Sequence, residues 1–229
     1  MRRYMDTFLG LVMLLMISLL ASQGLEAVAE AGSAAEKKVV VLDAGHGGSD
    51  PGKVGINNAL EKEINLAIAG KVKAKLEAAG IEVLMTREND DGLYQANDKN
   101  KKVSDLNARC RLIEKSGAEI TVSIHQNSYH DSSISGPQVF YYKDSKEGQQ
   151  LAEILQASFD GVVEKNTRKA KANDNYYLLL HTKCPVVIVE CGFLSNPGEA
   201  DLLITDDYQE KVSDAICKGI LGYLNAQTA

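Results

Sequence analysis

The sequence VVVLDAGHGG at residues 39–48 joins a continuous apolar run to a glycine-rich loop that carries His46. An uninterrupted apolar run that ends in glycines is typical of a strand buried on both faces of a sheet. The glycines predict a flexible loop at the carboxyl end of that strand. This stretch therefore predicts a buried strand that presents a histidine at its end.

Strand and helix patterns alternate along the rest of the chain. Further strands are predicted at 81–85, 120–124, 139–142, 177–180 and 186–189, and the third of these follows Gly136 and Pro137, which suits an edge strand. Helices are predicted at 61–79, 106–115, 147–163 and 208–224, with a short one beginning at Pro197 behind the cap residue Asn196. The alternation predicts an α/β fold with a single domain, in which helices cover both faces of a mostly parallel twisted sheet.

Three ionisable side chains stand where predicted strands end. His46 follows the first strand, His125 ends the strand at 120–124, and Glu190 ends the strand at 186–189. Ligand sites of parallel α/β sheets lie beyond the carboxyl ends of the strands. We therefore expect these side chains to meet at one edge of the sheet.

The residue types are those of a zinc hydrolase, which uses three protein ligands and leaves a fourth position for water. His46 and His125 supply two imidazoles, and Glu61, at the start of the first helix, can reach back as the third ligand. Glu190 then remains as the general base for the water. Glu63 competes with Glu61, but residues two apart in a helix point roughly 200° away from each other.

Structural interpretations of the same residues stay open on spacing alone. A histidine at a strand end is often a capped polar residue, and Glu61 could be a carboxylate favoured by the helix dipole. Glu190 is harder to explain in this way, because burying an unpaired charge is costly. His130 and His181 are interpreted as surface residues.

Residues 1–29 have the pattern of a signal peptide. Arg2 and Arg3 precede an apolar run at 8–21, and small residues at 27–29 suit a cleavage site. This apolar run is shorter than the about 20 residues that span a bilayer, although an uncleaved membrane anchor is the alternative. Residues 30–37 are interpreted as a linker and 38–229 as the catalytic domain, and we expect the protein outside the cytoplasm.

Charge and cysteine spacing exclude two further classes. A formal net charge of −6 argues against a nucleic-acid partner, which needs a basic face on the protein. Cys184 and Cys191 bracket a predicted strand, so they would lie roughly 20 Å apart, beyond disulfide reach. Cys110 and Cys217 lie in helical patterns, and we interpret all four cysteines as small buried apolar residues.

Five segments in register resemble the zinc-dependent N-acetylmuramoyl-L-alanine amidases, the amidase-3 family. They are residues 42–52, 61–66, 85–87, 123–127 and 189–196. The segments follow the order and spacing of the family from about residue 38 to residue 225. The resemblance implies His46, Glu61 and His125 as the zinc ligands and Glu190 as the catalytic glutamate, because the family ligand is the glutamate before the lysine.

The resemblance also bears on three residues outside this set. Asn127 is expected to hydrogen-bond the substrate peptide, and Arg87 and Arg109 are expected to form structural ion pairs rather than substrate contacts. The activity implied is cleavage, by zinc-activated water, of the amide bond between the lactyl group of N-acetylmuramic acid and L-alanine of the stem peptide. A zinc carboxypeptidase acting on wall peptides and a non-catalytic wall-binding domain are the alternatives.

A finer resemblance lies in the basic segment at 166–171, which is similar to the germination-specific branch of the family in spore-forming bacteria. The other interpretation of this segment is a solvated basic loop. The resemblance implies action on spore-cortex peptidoglycan, toward muramic-δ-lactam, at the forespore envelope. Control by an accessory activator protein is a further hypothesis, and glycan strands and stem peptides are the expected substrate.

Overall fold

The computed structural model describes residues 38–162 and 167–227. The predicted signal peptide at 1–29 and linker at 30–37 lie outside the described residues, as does Asn166 of the basic segment. Within the described ranges, none of the helices combines the length and the apolar character needed to cross a membrane.

One six-stranded sheet organises the domain, with the strand order β2-β1-β3-β6-β4-β5. The strands are β1 Val39–Ala44, β2 Glu82–Met85, β3 Ile120–Asn127, β4 Gln138–Tyr142, β5 Lys171–Asn173 and β6 Val186–Phe193. β1, β2, β3 and β6 run parallel, whereas β4 pairs with β6 in antiparallel fashion and with β5 in parallel. The prediction of a mostly parallel sheet in a single α/β domain is confirmed.

Six helices are described between and after these strands. They are α1 Glu61–Ala78, α2 Lys101–Ser116, α3 Lys146–Ser158, α4 Tyr177–His181, α5 Pro197–Leu203 and α6 Asp206–Ala226. α1, α3 and α6 contribute to the larger hydrophobic core, and α2 and α4 contribute to a smaller core. Val40 and Leu42 of β1 belong to the larger core and Val41 to the smaller one, as expected for a strand covered on both faces.

Caps explain where two of the helices begin. The Asn196 side chain accepts from the Glu199 N–H at 3.0 Å, and Pro197 occupies the first turn of α5, which confirms the predicted start. α2 begins five residues before its predicted start because the Asn100 side chain caps it through the Val103 N–H at 3.1 Å. The first turn of α2 is mostly polar, so apolar periodicity did not reveal it.

The strand predicted at 177–180 is wrong, because these residues form α4. Asn173 forms a turn just before α4, because its side chain accepts from the Asn175 N–H at 2.7 Å and from the Tyr176 N–H at 3.0 Å. Leu178 and Leu179 are then both buried in the smaller core, which a helical turn permits. A short apolar run cannot distinguish helix from strand by periodicity.

The edge position predicted for residues 139–142 is also wrong, since β4 lies between β6 and β5. The strand that covers it, Lys171–Asn173, is short and mostly exposed, and it has no apolar pattern. The predicted helix at 147–163 ends at Ser158.

All four cysteines are free, but the prediction that all four are buried is wrong for Cys184. Cys110, Cys191 and Cys217 are buried, whereas Cys184 is half-buried and its sulfur lies 3.4 Å from Thr121 Oγ1.

The contact between α3 and α6 yields a stability prediction. A Cβ added at Gly219 would lie 2.6 Å from Leu155 Cδ2 and 3.0 Å from Leu155 Cα, so the backbones of the two helices would have to separate. We expect Gly219→Ala to lower the free energy of unfolding by about 1–3 kcal/mol, measured by urea denaturation.

Gly222→Ala is the matched control on the same helix, because its Cβ would meet Ile154 Cγ2 at an ordinary 3.4 Å. There the helix propensity of alanine should raise stability by up to about 1 kcal/mol. Equal effects of the two substitutions would contradict this account of the α3–α6 contact.

Candidate metal and catalytic site

Three potential metal ligands meet at the carboxyl ends of the parallel strands. His46 lies in the loop after β1, Glu61 begins α1, and His125 lies near the end of β3. One ligand atom from each falls within 4.8 Å of the others. His46 Nε2 is 3.2 Å from Glu61 Oε2, and His125 Nδ1 is 2.9 Å from Glu61 Oε1. Two imidazoles and a carboxylate at these distances fit the three-ligand set of a catalytic zinc site.

The glycines around His46 let the loop approach the other two side chains closely. His46 itself adopts a left-handed conformation with φ 63°, which is unusual for a residue with a side chain. A Cβ on Gly45 would lie 2.2 Å from the His125 ring, and one on Gly52 would lie 2.5 Å from Glu61 Oε2. Glycine is therefore required at both positions for the three groups to meet.

Glu61 is 2% exposed and is held by backbone donors on both sides. The Lys53 N–H donates to its Oε2 at 2.7 Å, and the Gln126 N–H donates to its Oε1 at 3.1 Å. Burial alone would raise the pKa of Glu61, but the hydrogen bonds and charges of His125 and His46 outweigh it and hold the pKa well below its usual range. The carboxylate therefore stays ionised, as a metal ligand must. Glu63, the competing candidate, is exposed.

A buried ion pair supports the loop from behind. Arg109 and Asp43 are each 1% exposed, and the guanidinium Nη1 lies 2.6 Å from Asp43 Oδ1. Arg109 also donates to the backbone oxygen of Ala44 at 2.9 Å and to that of His46 at 2.5 Å. Burial would raise the pKa of Asp43, but Arg109 and the hydroxyls of Ser123 and Thr86 lower it to about 2.

Arg87 supports the same loop through backbone oxygens. It donates to Ala44 at 2.8 Å, to Gly45 at 3.1 Å and to Lys62 at 2.7 Å. The structural role expected for Arg87 and Arg109 agrees with their burial. Of these two arginines, Arg109 forms ion pairs with described residues and Arg87 does not. Arg87 uses its donors on carbonyl groups instead.

Glu190 lies beside the three-residue cluster, because it pairs with His125 across β3 and β6. It is 5% exposed, and the Tyr176 hydroxyl donates to its Oε1 at 3.0 Å. Its Oε2 is buried and accepts no hydrogen bond from any described residue. Burial raises the pKa of Glu190 above its usual value. A buried oxygen without a partner calls for an explanation, and Glu190 lines the same cavity as His46, Glu61 and His125.

An open cavity of about 430 Å³ gives access to the cluster and to Glu190. Asn127, predicted to contact substrate, lines this cavity, and its Oδ1 accepts from the Ser128 N–H at 2.8 Å. Tyr176 also lines the cavity. The sequence carried no signal for Tyr176, because its place is set by the turn at Asn173 and not by a motif.

The remaining predicted residues lie away from the cluster. His130 and His181 are exposed, as expected for surface residues. The Arg168 guanidinium lies over the Phe193 ring at 4.7 Å and donates to the Ser135 oxygen at 2.7 Å. Within the described part of the basic segment, Arg168 therefore packs against the protein itself.

Known proteins are similar to this chain in sequence and in fold. A family model described as N-acetylmuramoyl-L-alanine amidase matches residues 40–222. The germination-specific N-acetylmuramoyl-L-alanine amidase of Bacillus subtilis is 42% identical over 189 residues, which cover 81% of this chain and 79% of the relative.

Two solved structures are similar over nearly their whole length. The CwlD amidase of Clostridioides difficile, solved in complex with the GerS lipoprotein, is 40% identical with a TM-score of 0.80, over 83% of this chain and 100% of that one. The catalytic domain of the CwlV amidase of Bacillus (Paenibacillus) polymyxa is 33% identical with a TM-score of 0.70, over 82% and 98%.

The Asp43–Arg109 pair yields the second prediction. Arg109→Met leaves the Asp43 carboxylate buried without its partner, so we expect the free energy of unfolding to fall by about 3–5 kcal/mol in urea denaturation. Loss of the bond to the His46 oxygen should also weaken metal binding roughly 10- to 100-fold, measured by competition with a chelator.

Arg111→Met is the matched control, since Arg111 lies on the same helix but is exposed. Its stability should change by less than about 0.5 kcal/mol. A similar loss for both variants would mean that the burial of Arg109 and its contacts with the loop are unimportant.

Proposed function

Because the chain belongs to the N-acetylmuramoyl-L-alanine amidase family, we propose that a metal held by His46, Glu61 and His125, together with Glu190, carries out its hydrolysis. Members of this family are peptidoglycan hydrolases, and their reaction cleaves the amide bond between the lactyl group of N-acetylmuramic acid and L-alanine. The enzyme class expected from the five sequence segments is confirmed. The residue roles are our proposal.

The proposed metal is Zn²⁺. Two imidazoles and one carboxylate are the ligands of several catalytic zinc sites, and the deep burial of Glu61 with two backbone donors keeps that ligand oriented. When bound, Zn²⁺ polarises the scissile carbonyl and acidifies the attacking water. His46, Glu61 and His125 would hold it, and the cavity leaves one side open for the substrate.

The single observation that carries the proposed mechanism is the buried, unpartnered Oε2 of Glu190 next to the ligand cluster. We propose that this oxygen accepts a proton from the attacking water and then donates it to the nitrogen of the departing L-alanine. The raised pKa of Glu190 suits a group that first accepts and then donates a proton. Ser123 has no nucleophilic role in this scheme, because its hydroxyl donates to Asp43 at 2.5 Å.

Asn127 is the proposed contact for the stem peptide. Its Oδ1 already accepts from the Ser128 N–H, so its amide nitrogen is the group that would donate to a peptide carbonyl. A carboxypeptidase would need a cation to hold the terminal carboxylate. Arg87 and Arg109 are buried and bonded to the loop that carries His46, whereas Lys53 and Lys102 line the cavity, so the released product has to distinguish the two reactions. A non-catalytic wall-binding role does not require the cluster and Glu190 to lie together.

We further propose that the substrate is spore-cortex peptidoglycan, processed toward muramic-δ-lactam at the forespore envelope. Cell wall amidases act outside the cytoplasm, and the relative from Bacillus subtilis is germination-specific. Since the similar amidase of Clostridioides difficile was solved with a lipoprotein, an accessory protein is proposed for this chain too.

A substitution pair tests the assigned roles. Glu190→Gln should bind zinc as the wild type does but lose at least about 100-fold in kcat, because the proton acceptor is gone. Glu61→Gln should lose zinc together with activity. The measurements are zinc content by mass spectrometry and hydrolysis of purified sacculi and spore cortex.

The released groups identify the bond that is cut. New L-alanine amino termini indicate an amidase, whereas released D-alanine indicates a carboxypeptidase. Retained hydrolysis by Glu190→Gln would remove Glu190 from the mechanism, and full zinc binding by Glu61→Gln would remove Glu61 from the ligand set.

The accessory-protein proposal has its own test. If the proposal holds, the purified domain alone should lose zinc to a mild chelator, and addition of the accessory lipoprotein should restore both zinc content and activity. Full activity and stable zinc in the domain alone would contradict it.

A further inference from the structure

Among the described residues, the Tyr176 hydroxyl donates a hydrogen bond to the Glu190 carboxylate. Tyr176 belongs neither to the five family segments nor to the ligand cluster. We propose that Tyr176 is a positioning residue that fixes the Glu190 carboxylate with one oxygen engaged and the other left for the reacting water. This inference rests on the proposed role of Glu190 and adds to it the residue that orients it.

The two oxygens of Glu190 have different surroundings. Oε1 accepts from Tyr176 at 3.0 Å, whereas Oε2 is buried and accepts nothing from the described residues. The terminal torsion of a glutamate is broad, so an untethered carboxylate samples many orientations. A single donor on one oxygen removes that freedom, and the other oxygen then keeps one direction relative to His125, its neighbour across the strand pair.

Tyr176 is itself held rigidly enough to act in this way. Its ring packs edge-to-face against Phe140 of β4, with centroids 5.5 Å apart and an interplanar angle of 70°. Its backbone N–H donates to Asn173 Oδ1 at 3.0 Å, and Asn173 pairs with Tyr142 at the end of β5. The phenol is therefore anchored to two strands of the sheet, and Glu190 to a third.

The phenol is suited to donate and not to exchange its proton. Burial and the charge of Glu190 raise the pKa of Tyr176 well above its usual value, so the hydroxyl keeps its proton throughout. The proton balance then involves Glu190 alone. An O–H bond of the attacking water breaks as Oε2–H forms, and that proton later leaves Oε2 for the amine nitrogen of L-alanine, while the Tyr176 O–H bond persists.

The test is Tyr176→Phe, which removes only the oxygen and keeps the ring against Phe140. Because orientation of the proton acceptor matters in the transition state, we expect kcat to fall roughly tenfold while KM changes less than about twofold. Zinc content should match the wild type, and the variant should remain folded at the assay temperature by circular dichroism. A crystal structure of the variant should show the Glu190 carboxylate in more than one orientation.

Tyr177→Phe is the matched control. The Tyr177 hydroxyl makes a bond of similar length, 2.9 Å, but donates to Asn107 Oδ1 and not to Glu190. Its kcat should stay within about twofold of wild type.

Three outcomes decide the inference. A tenfold loss in Tyr176→Phe alone, with disorder of Glu190, supports it. An unchanged kcat in Tyr176→Phe, or a Glu190 carboxylate that keeps one orientation, overturns it while leaving an inactive Glu190→Gln to support the proposed function. Activity retained by Glu190→Gln would instead overturn the proposed function, and this inference with it.

Discussion

The ion pair between Asp43 and Arg109 connects the centre of the sheet to the loop that carries His46. Two charges with 1% exposure lose nearly all their hydration, and this loss is offset only if each finds strong partners. Asp43 accepts from Ser123 and Thr86 as well as Arg109, and the guanidinium reaches on to the His46 oxygen. The left-handed conformation of His46 is thus maintained by contacts that the fold cannot give up cheaply.

The parallel pairing of the strands brings the other residues of the site to the same edge of the sheet as this loop. In the register of β1, β3 and β6, Ala44 stands beside Ile124, and His125 beside Glu190, so residues from distant parts of the sequence reach the same edge. Glu61 arrives differently, from the first turn of α1, where backbone donors of Lys53 and Gln126 orient it. The sheet therefore positions His125 and Glu190, and the first helix places the Glu61 carboxylate between the two imidazoles.

Much of this could be predicted from sequence because buried parallel strands are apolar and end abruptly in polar residues. Val39–Ala44 has that pattern, and the position of His46 followed from it. The predicted end of the strand at 186–189 is wrong, because β6 continues past Glu190 to Phe193, although Glu190 still lies toward its carboxyl end. α4 and β5 could not be predicted in the same way. The conformation of α4 depends on the turn at Asn173, and a four-residue apolar run does not reveal that turn. The conformation of β5 depends on pairing with β4, and its three mostly exposed residues have no strand pattern.

The two buried glutamates of the site have opposite pKa shifts, and this difference suits the separate roles proposed for them. Burial would raise the pKa of either, but Glu61 lies against two imidazoles that lower it, whereas desolvation remains dominant at Glu190. The lowered pKa of Glu61 suits a ligand for a cation, and the raised pKa of Glu190 suits the proton transfer proposed for it. Because the same edge of the sheet creates both environments, one small domain can place the proposed ligand Glu61, at the start of α1, beside the proposed proton carrier Glu190, on β6.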